Sequence, residues 1–433
     1  MENSLLAKVS KRTLRIAVIG LGYVGLPLAT AFAEARFHVT GIDVDQMKVG
    51  QANRGESYIP DIPSSLLRRL IDAKYLNFTS DYTLLGEKDA IVICVPTPLG
   101  KTRDPDISYV ISATRQVKTH LRPGQLVILE STTYPGTTDE VVLPELESTG
   151  LKVGVDFFLA FSPERIDPGN PDYNLRNTPK IVGGITNTCT ELVSALYESA
   201  IEQIVPVSST RVAEMAKILE NTFRAVNIGL VNEIAIICEK LGISVWEVIE
   251  AAATKPFGFM RFLPGPGLGG HCLPVDPQYL SWKLKTLDYT TRFIQLAAEI
   301  NRSMPYYVVD KIGEALNEQF RSFNGATILI MGVAYKRDVG DIRESPALDI
   351  IQSLMARKSI ILYNDEYVPS LTLGNHTLSS QPISSGLLQA ADCVVIVTNH
   401  GYYDIPWIVR EARYIVDTRN ATNGCIDKKI LRI

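Results

Sequence analysis

Residues 14–25 read Leu-Arg-Ile-Ala-Val-Ile-Gly-Leu-Gly-Tyr-Val-Gly. The apolar run ends in Gly20 as a buried parallel strand does, and a helical stretch over 26–35 follows it. That setting, strand before and helix after, lifts the spacing Gly20-x-Gly22-x-x-Gly25 above a chance match. Gly20 permits the tight turn, and Gly22 lets a backbone approach a pyrophosphate. Gly25 allows helix to pack closely on strand, and the helix N-terminus, entered through Tyr23 and Val24, attracts the anion. A second strand over 38–42 delivers Asp43, placed to accept hydrogen bonds from a ribose 2′-hydroxyl. A 2′-phosphate would meet a like charge there, so NAD is expected rather than NADP.

Working outward, the apolar run over 89–95 stops at Pro96-Thr97-Pro98, and another over 126–129 stops at Glu130-Ser131-Thr132. Strands alternating with helices imply a doubly wound parallel sheet. Pro96, Thr97, Ser131 and Thr132 then fall on its ligand-bearing edge, although each would serve equally as an ordinary turn residue. The middle reads differently. From 210 to 240 there is no Pro, only Gly229 interrupts, and apolar residues recur at helical spacing; one or two long helices are expected, with more over 245–253 and 292–320. The C-terminal third repeats the first plan. Residues 327–332 resemble 15–20, residues 360–365 echo 39–43, and residues 391–397 match 89–95. The fold class is therefore α/β, two Rossmann-like doubly wound domains joined by a central α-helical domain. The boundaries expected are 1–206, 207–322 and 323–433. The second doubly wound domain lacks the glycine fingerprint and should hold a different ligand.

Composition is ordinary for a soluble globular chain of 433 residues, 46% hydrophobic and 21% charged. A formal charge of −4 argues against a nucleic-acid partner, whose phosphates need clustered Lys and Arg. No apolar stretch reaches the roughly 20 residues needed to span a bilayer, and residues 1–13 lack the apolar run of a secretory signal. The six cysteines lie far apart with no C-x-x-C pair, which fits neither a disulfide framework nor a zinc site. A reduced, cytoplasmic protein without a metal is expected.

Cysteine is usually a buried small hydrophobe, and Cys94, Cys238 and Cys393 fit that role inside strand or helix patterns. Cys189 and Cys425 have no readable setting. Cys272 differs. It closes Pro264-Gly-Pro-Gly-Leu-Gly-Gly-His-Cys272, a poor place to bury a hydrophobe but a loop able to close on a small molecule, and Asp276 follows four residues on. A thiol there is a candidate nucleophile. A thiol and a hydride acceptor together can take an alcohol past the aldehyde to an acid. On the long helix, Lys217 and Asn221 share a face at i, i+4 and could hold a developing oxyanion, although a solvated Lys–Asn face would give the same spacing. Glu214 is explained by a surface ion pair with Lys217. Glu164, in Ser162-Pro-Glu-Arg165 at a strand end, is a candidate base for activating water.

These residues together resemble the nucleotide-sugar 6-dehydrogenase family, the UDP-glucose and UDP-N-acetylhexosamine dehydrogenases. The resemblance runs from about Leu14 to Thr418. It is carried by residues 20–27, Glu130-Ser-Thr132, Ser162-Pro-Glu164, Lys217-x-x-x-Asn221, Gly269-Gly-His-Cys272, Gly332-Val-Ala-Tyr-Lys336 and Gly340-Asp-Ile-Arg-Glu344. It implies two hydride transfers to NAD from C6 of the sugar. The aldehyde is captured on Cys272 as a thiohemiacetal, oxidised to a thioester and released by water as the uronate. By matching position, Lys217 and Asn221 stabilise the oxyanion or serve the first oxidation, and Asp276 orients thiol and water. Glu164 is the base for hydrolysis, and Thr132 helps place water. Lys48 contacts the adenosine end and Arg343 reaches the cofactor. Lys336 holds the nucleotide diphosphate, and Arg165, Arg261, Gly267, Gly269 and Gly270 fall among the substrate contacts. The resemblance further implies a C-terminal domain that binds UDP and a homodimer formed through the central helices.

Two positions depart from the glucose-specific pattern. Val275 stands where that branch usually has Lys, and His271 where it commonly has a small residue. Both resemble the N-acetylhexosamine branch, as do Tyr134-Pro-Gly-Thr-Thr138 and the 257–262 loop. The substrate expected is UDP-N-acetylglucosamine, then UDP-N-acetylmannosamine, then UDP-glucose. His271 as a catalytic base is an alternative, although neighbouring side chains of an extended loop point apart. Two other classes compete: a catalytically idle NAD- and UDP-sugar-binding regulator, which would need no nucleophile, and a two-electron dehydrogenase, which leaves the thiol loop and the third domain unexplained.

Overall fold

Apolar runs such as Ala90–Ile93 and Leu126–Leu129 are buried at every position, which a strand achieves only when both faces of its sheet are covered. The computed structural model describes residues 1–59, 61–100, 104–167, 170, 172–270 and 272–433. The chain divides into two compact units, Met1–Glu220 with Gln278–Asp288, and Asn221–Pro277 with Tyr289–Ile433.

In the first unit the strands are β1 (Arg15–Ile19), β2 (His38–Ile42), β3 (Leu76–Thr79), β4 (Ala90–Ile93), β5 (Leu126–Leu129), β6 (Phe158–Phe161), β7 (Lys180–Gly184) and β8 (Ile204–Val207). They form one sheet in the order β3-β2-β1-β4-β5-β6-β7-β8. Every pairing is parallel except β6 with β7, where Phe161 faces Gly183 and Ala160 faces Gly184. Both faces carry apolar side chains: Ile16, Val18, Phe32, Val39 and Tyr197 pack on one, and Ala17, Ile19, Ile91, Val127 and Phe161 on the other. The order reverses between β1 and β4, the switch point where such sheets open a crevice beyond their carboxyl ends. The helix Glu2–Ser10, with Leu5 and Val9 buried, escaped the sequence reading, as did β3, β7 and β8.

The second unit holds β9 (Thr327–Met331), β10 (Ile360–Asn364), β11 (Ser370–Leu373), β12 (His376–Ser379), β13 (Cys393–Ile396), β14 (Ile415–Asp417) and β15 (Ile430–Arg432). A parallel sheet runs β10-β9-β13-β14-β15, and β11 and β12 form a separate hairpin. The repeat expected between the two ends of the chain extends to individual hydrogen bonds. Gly20 and Gly332 both have positive φ, 89° and 78°, and a methyl on either would lie 2.5 Å or 2.3 Å from the carbonyl oxygen of Cys94 or Thr398. Asp43 accepts from Leu21 N at 2.8 Å, and Asp365 from Val333 N at 2.8 Å. Asp89 and Asp392 each accept from the first amide of the central strand, at 3.0 and 2.9 Å. The copies diverge at His400. Its Nε2 lies 3.0 Å from Asp365, while its Nδ1 accepts from Asp338 N, so Nε2 carries the proton. Asp365 is fully buried, and its oxygens accept from the amides of Val333, Ala334 and Tyr367 and from His400.

The middle contains one 32-residue helix, Thr210–Leu241, followed by Val245–Ala253, Cys272–Lys285 and Arg292–Asn317. Among the described residues no helix is long and apolar enough to cross a membrane.

Candidate active site

The glycine turn is explained position by position. A methyl on Gly25 would lie 1.8 Å from the Gly20 carbonyl oxygen, so Gly25 is required by the packing of helix Gly25–Glu34 on the turn. Gly22 is not required by the protein. A methyl there meets no atom of the described residues within 4 Å, and its φ is not positive. The space left bare at a helix N-terminus suits a pyrophosphate. Asp43 is held by Leu21 N and, at 2.9 Å, by Asp45 N. Asp45 caps the helix Gln46–Asn53, on which Lys48 is half-buried. Tyr23 is exposed. These residues fit NAD.

Beyond the carboxyl ends of β4, β5 and β6 lie Pro96-Thr97, Ser131-Thr132 and Glu164. Ser131 donates to the Val95 carbonyl at 2.7 Å, tying the ends of β4 and β5 together, and Tyr279 donates to the Thr97 carbonyl. The Glu164 Oε1 accepts from Arg165 N at 2.7 Å and Ile166 N at 2.6 Å. Its Oε2 is buried with no hydrogen-bond partner among the described residues. Burial alone would raise the Glu164 pKa, but the Lys180 charge, the Ile166 amide and the Lys217 charge together hold it below the usual value. Arg165 spends its guanidinium on the Pro179 carbonyl and on Glu220 at 2.6 Å.

The long helix does not present a solvated face here. Glu214, Lys217 and Asn221 are all buried, Asn221 completely. Glu214 is not a surface partner of Lys217. It accepts from Gly136 N at 2.6 Å, Thr138 N at 2.9 Å and Thr138 Oγ1 at 2.7 Å. The Tyr134–Thr138 turn points amides at the helix that would otherwise be buried without an acceptor, and the carboxylate supplies one.

In the second unit the thiol lies at a different kind of position from the extended loop expected. Cys272 begins the helix Cys272–Lys285 and is exposed. Pro274 suits a first helical turn, which has no intrahelical acceptor for its amides. Asp276 therefore falls one turn along on the same face as Cys272, is buried, and accepts from Asn221 Nδ2. Arg224 in turn donates to the Asn221 oxygen. Thiol, carboxylate and amide are thus brought together, at a helix N-terminus whose dipole favours developing negative charge. His271 lies outside the described residues.

The glycines before the thiol serve a partner within the protein. A methyl on Gly269 would lie 2.5 Å from the Tyr335 Cβ, and one on Gly270 2.8 Å from its ring. Gly270 N donates to the Arg343 carbonyl at 2.8 Å. The segment carrying Lys336 and Arg343 therefore packs on the loop that delivers Cys272. Gly267, with φ 128°, sits against the Asn301 carbonyl. Arg261 is exposed and paired with Glu250. Arg419 has no motif that marks it in the sequence. Its Nε donates to the Val397 carbonyl, its guanidinium faces Gly265, and burial lowers its pKa to about 10 against partial compensation by Asp417. A guanidinium so poorly neutralised suits an anion.

A dinucleotide turn on a doubly wound sheet, with a thiol at a helix start, defines an NAD-dependent oxidoreductase. Residues 14–201, 211–303 and 329–424 match, in turn, the NAD binding, central and UDP binding domains of the UDP-glucose/GDP-mannose dehydrogenase family. The chain belongs to that family. It is 35% identical over 394 residues to UDP-N-acetyl-D-glucosamine 6-dehydrogenase of Pseudomonas aeruginosa, covering 90% of this chain and 92% of that one. It is 36% identical over 423 residues to UDP-N-acetyl-D-mannosamine dehydrogenase of Salmonella typhi, covering 93% and 98%. The solved structure of a UDP-D-ManNAc dehydrogenase from Pyrococcus horikoshii superposes with a TM-score of 0.89 at 35% identity, covering 97% of this chain and 99% of that one.

Proposed function

We propose that the protein oxidises C6 of a UDP-N-acetylhexosamine to the carboxylate, with UDP-N-acetylglucosamine as first substrate, and so supplies a surface-polysaccharide precursor. The observation that carries this reading is the exposed Cys272 at a helix start, with buried Asp276 one turn on and fixed by Asn221. NAD, when bound by Gly20, Gly22, Gly25 and Asp43, supplies the hydride acceptor. Cys272 attacks the C6 aldehyde and retains the sugar as a hemithioacetal and then a thioester. Lys217 and Asn221 stabilise the oxyanion, Asp276 orients the thiol, and Glu164, assisted by Thr132, takes a proton from the water that releases the acid. Lys336 and Arg419 hold the diphosphate, consistent with the UDP binding domain matched over 329–424.

Residues 1–206, 207–322 and 323–433 are the cofactor, thiol-bearing and UDP domains of this reading. Exposed Leu219, Phe223, Leu230 and Ile237 form a stripe on the long helix, which supports a homodimer through the central helices. The cytoplasm, where NAD and UDP-sugars are available, is the location proposed. Val275 is buried within the thiol helix, where the glucose branch has lysine, and this favours the N-acetylhexosamines. The test is a rate comparison across UDP-N-acetylglucosamine, UDP-N-acetylmannosamine and UDP-glucose, counting NADH per sugar. Two NADH and preference for the first support the reading. One NADH per sugar, or a wide preference for UDP-glucose, refutes it.

A further inference from the structure

The single antiparallel pairing of the first sheet, β6 with β7, has a consequence at the ligand edge. Parallel strands all present their carboxyl ends there, but β7 runs the other way, so its first residue, Lys180, arrives beside the end of β6. Lys180 is 3% exposed. Its ammonium donates to Glu130 Oε1, at the end of β5, and lies 3.5 Å from Glu164 Oε2. The other Glu130 oxygen accepts from Tyr197, on the helix Asn187–Tyr197. A lysine is buried among sheet residues only when it is paired, and this one is paired unequally: bonded to Glu130, aimed at Glu164. A small cavity lined by Glu164, Thr178, Pro179 and Lys180 has room for about one water.

We propose that Lys180, clamped by Glu130 and Tyr197, is a positioning residue that keeps the Glu164 carboxylate ionised and aimed for the water-activating step. This rests on Glu164 being the base of the proposed hydrolysis. Several titratable groups among the described residues face Glu164: Lys180 from β7, Lys217 from the long helix, Glu130 from β5, Tyr197 from the helix Asn187–Tyr197, and Cys94 from the end of β4, where burial raises the thiol and keeps it neutral. Arg165 is engaged by Glu220. Burial would lower the Lys180 pKa, but the two carboxylates outweigh it and hold the ammonium charged. Lys180, 3.5 Å from Oε2, thus opposes the desolvation of Glu164 more strongly than Lys217 does. Glu130 shares that charge, so Glu164 is not bound so tightly that it loses all affinity for a proton.

The test follows acyl-enzyme by intact mass after quenching, together with the pH profile of uronate release. Glu164→Gln should accumulate the thioester on Cys272; failure to do so overturns the base assignment, and the proposal with it. Lys180→Met should move the acid limb of the profile upward by about one pH unit or more, because Glu164 is then protonated more easily. Glu130→Gln should move the limb downward and slow release. In the double variant Glu130→Gln/Lys180→Met the Glu130 carboxylate is no longer buried without its cation, so thermal stability should recover relative to Lys180→Met, while the acid limb stays raised because Glu164 still lacks the Lys180 charge. A merely structural Lys180 predicts that limb and stability recover together. That outcome, or a wild-type profile in Lys180→Met while Glu164→Gln traps the thioester, overturns the proposal and leaves the base assignment standing.

Discussion

Gly22→Ala separates a ligand's need for glycine from the protein's own. A methyl at 22 meets no atom within 4 Å among the described residues, and the residue does not use positive φ. Adding it should therefore leave the fold unstrained, and by restricting the unfolded chain could stabilise it by up to about 1 kcal/mol. Bound pyrophosphate would lose close approach to the turn amides. Losing one charge-assisted hydrogen bond costs about 1.5–3 kcal/mol, which corresponds to an NAD Kd weaker by about tenfold to a hundredfold. Gly25→Ala is the contrast. Its methyl would sit 1.8 Å from the Gly20 carbonyl oxygen, so the helix must shift, at about 1–3 kcal/mol for overpacking, and NAD binding falls with stability. The assay pairs thermal unfolding without ligand with calorimetric titration of NAD. If Gly22→Ala destabilises as much as Gly25→Ala, or binds NAD with unchanged affinity, the assignment of the space at Gly22 to the cofactor is wrong.

Cys272→Ala should abolish uronate formation while NAD affinity, read by titration, stays within about twofold of wild type, since buried area is hardly changed at an exposed site. Asn221→Ala removes a donor from Asp276 and a proposed oxyanion contact; kcat should fall by about 10²–10³ with little change in KM. Glu214 is raised to about 7, chiefly by burial. A carboxyl whose folded pKa lies above its unfolded value contributes stability that is fully present below about 4.5 and lost as pH rises through about 7. Denaturant titrations across that window should show wild type weakening with rising pH by up to about 1.4 kcal/mol per pH unit from this group, and Glu214→Gln should have a flatter profile; an identical slope would remove Glu214 as its source.

Much is legible along the chain because the signals are local. Residues 126–129 are a strand in sequence and structure alike, and the helix over 245–253 is bounded by Ser244, whose side chain caps it. The thiol segment is less transparent: the Gly and Pro residues before Cys272 suggest that the loop continues, whereas the helix starts at the cysteine itself. The same segment hides why Gly269 and Gly270 are glycine, because Tyr335 lies more than 60 residues away in sequence. Glu214 reads as a partner of its neighbour Lys217, and its actual partners are 76 and 78 residues distant.

What the sequence determined unaided were periodicities and turn chemistry: the paired doubly wound ends and the dinucleotide turn, each marked by residues within a few positions of one another; Cys272, Lys217 and Asn221 stood only as candidates, the last two with a solvated helix face left open. Only the tertiary structure decided that β7 runs antiparallel, that Lys180 thereby joins Glu130 and Glu164, and that Asn221 holds Asp276. Strand direction and side-chain pairing depend on contacts between residues 16 to 55 positions apart, and no local pattern of residue types encodes which of several buried charges will meet.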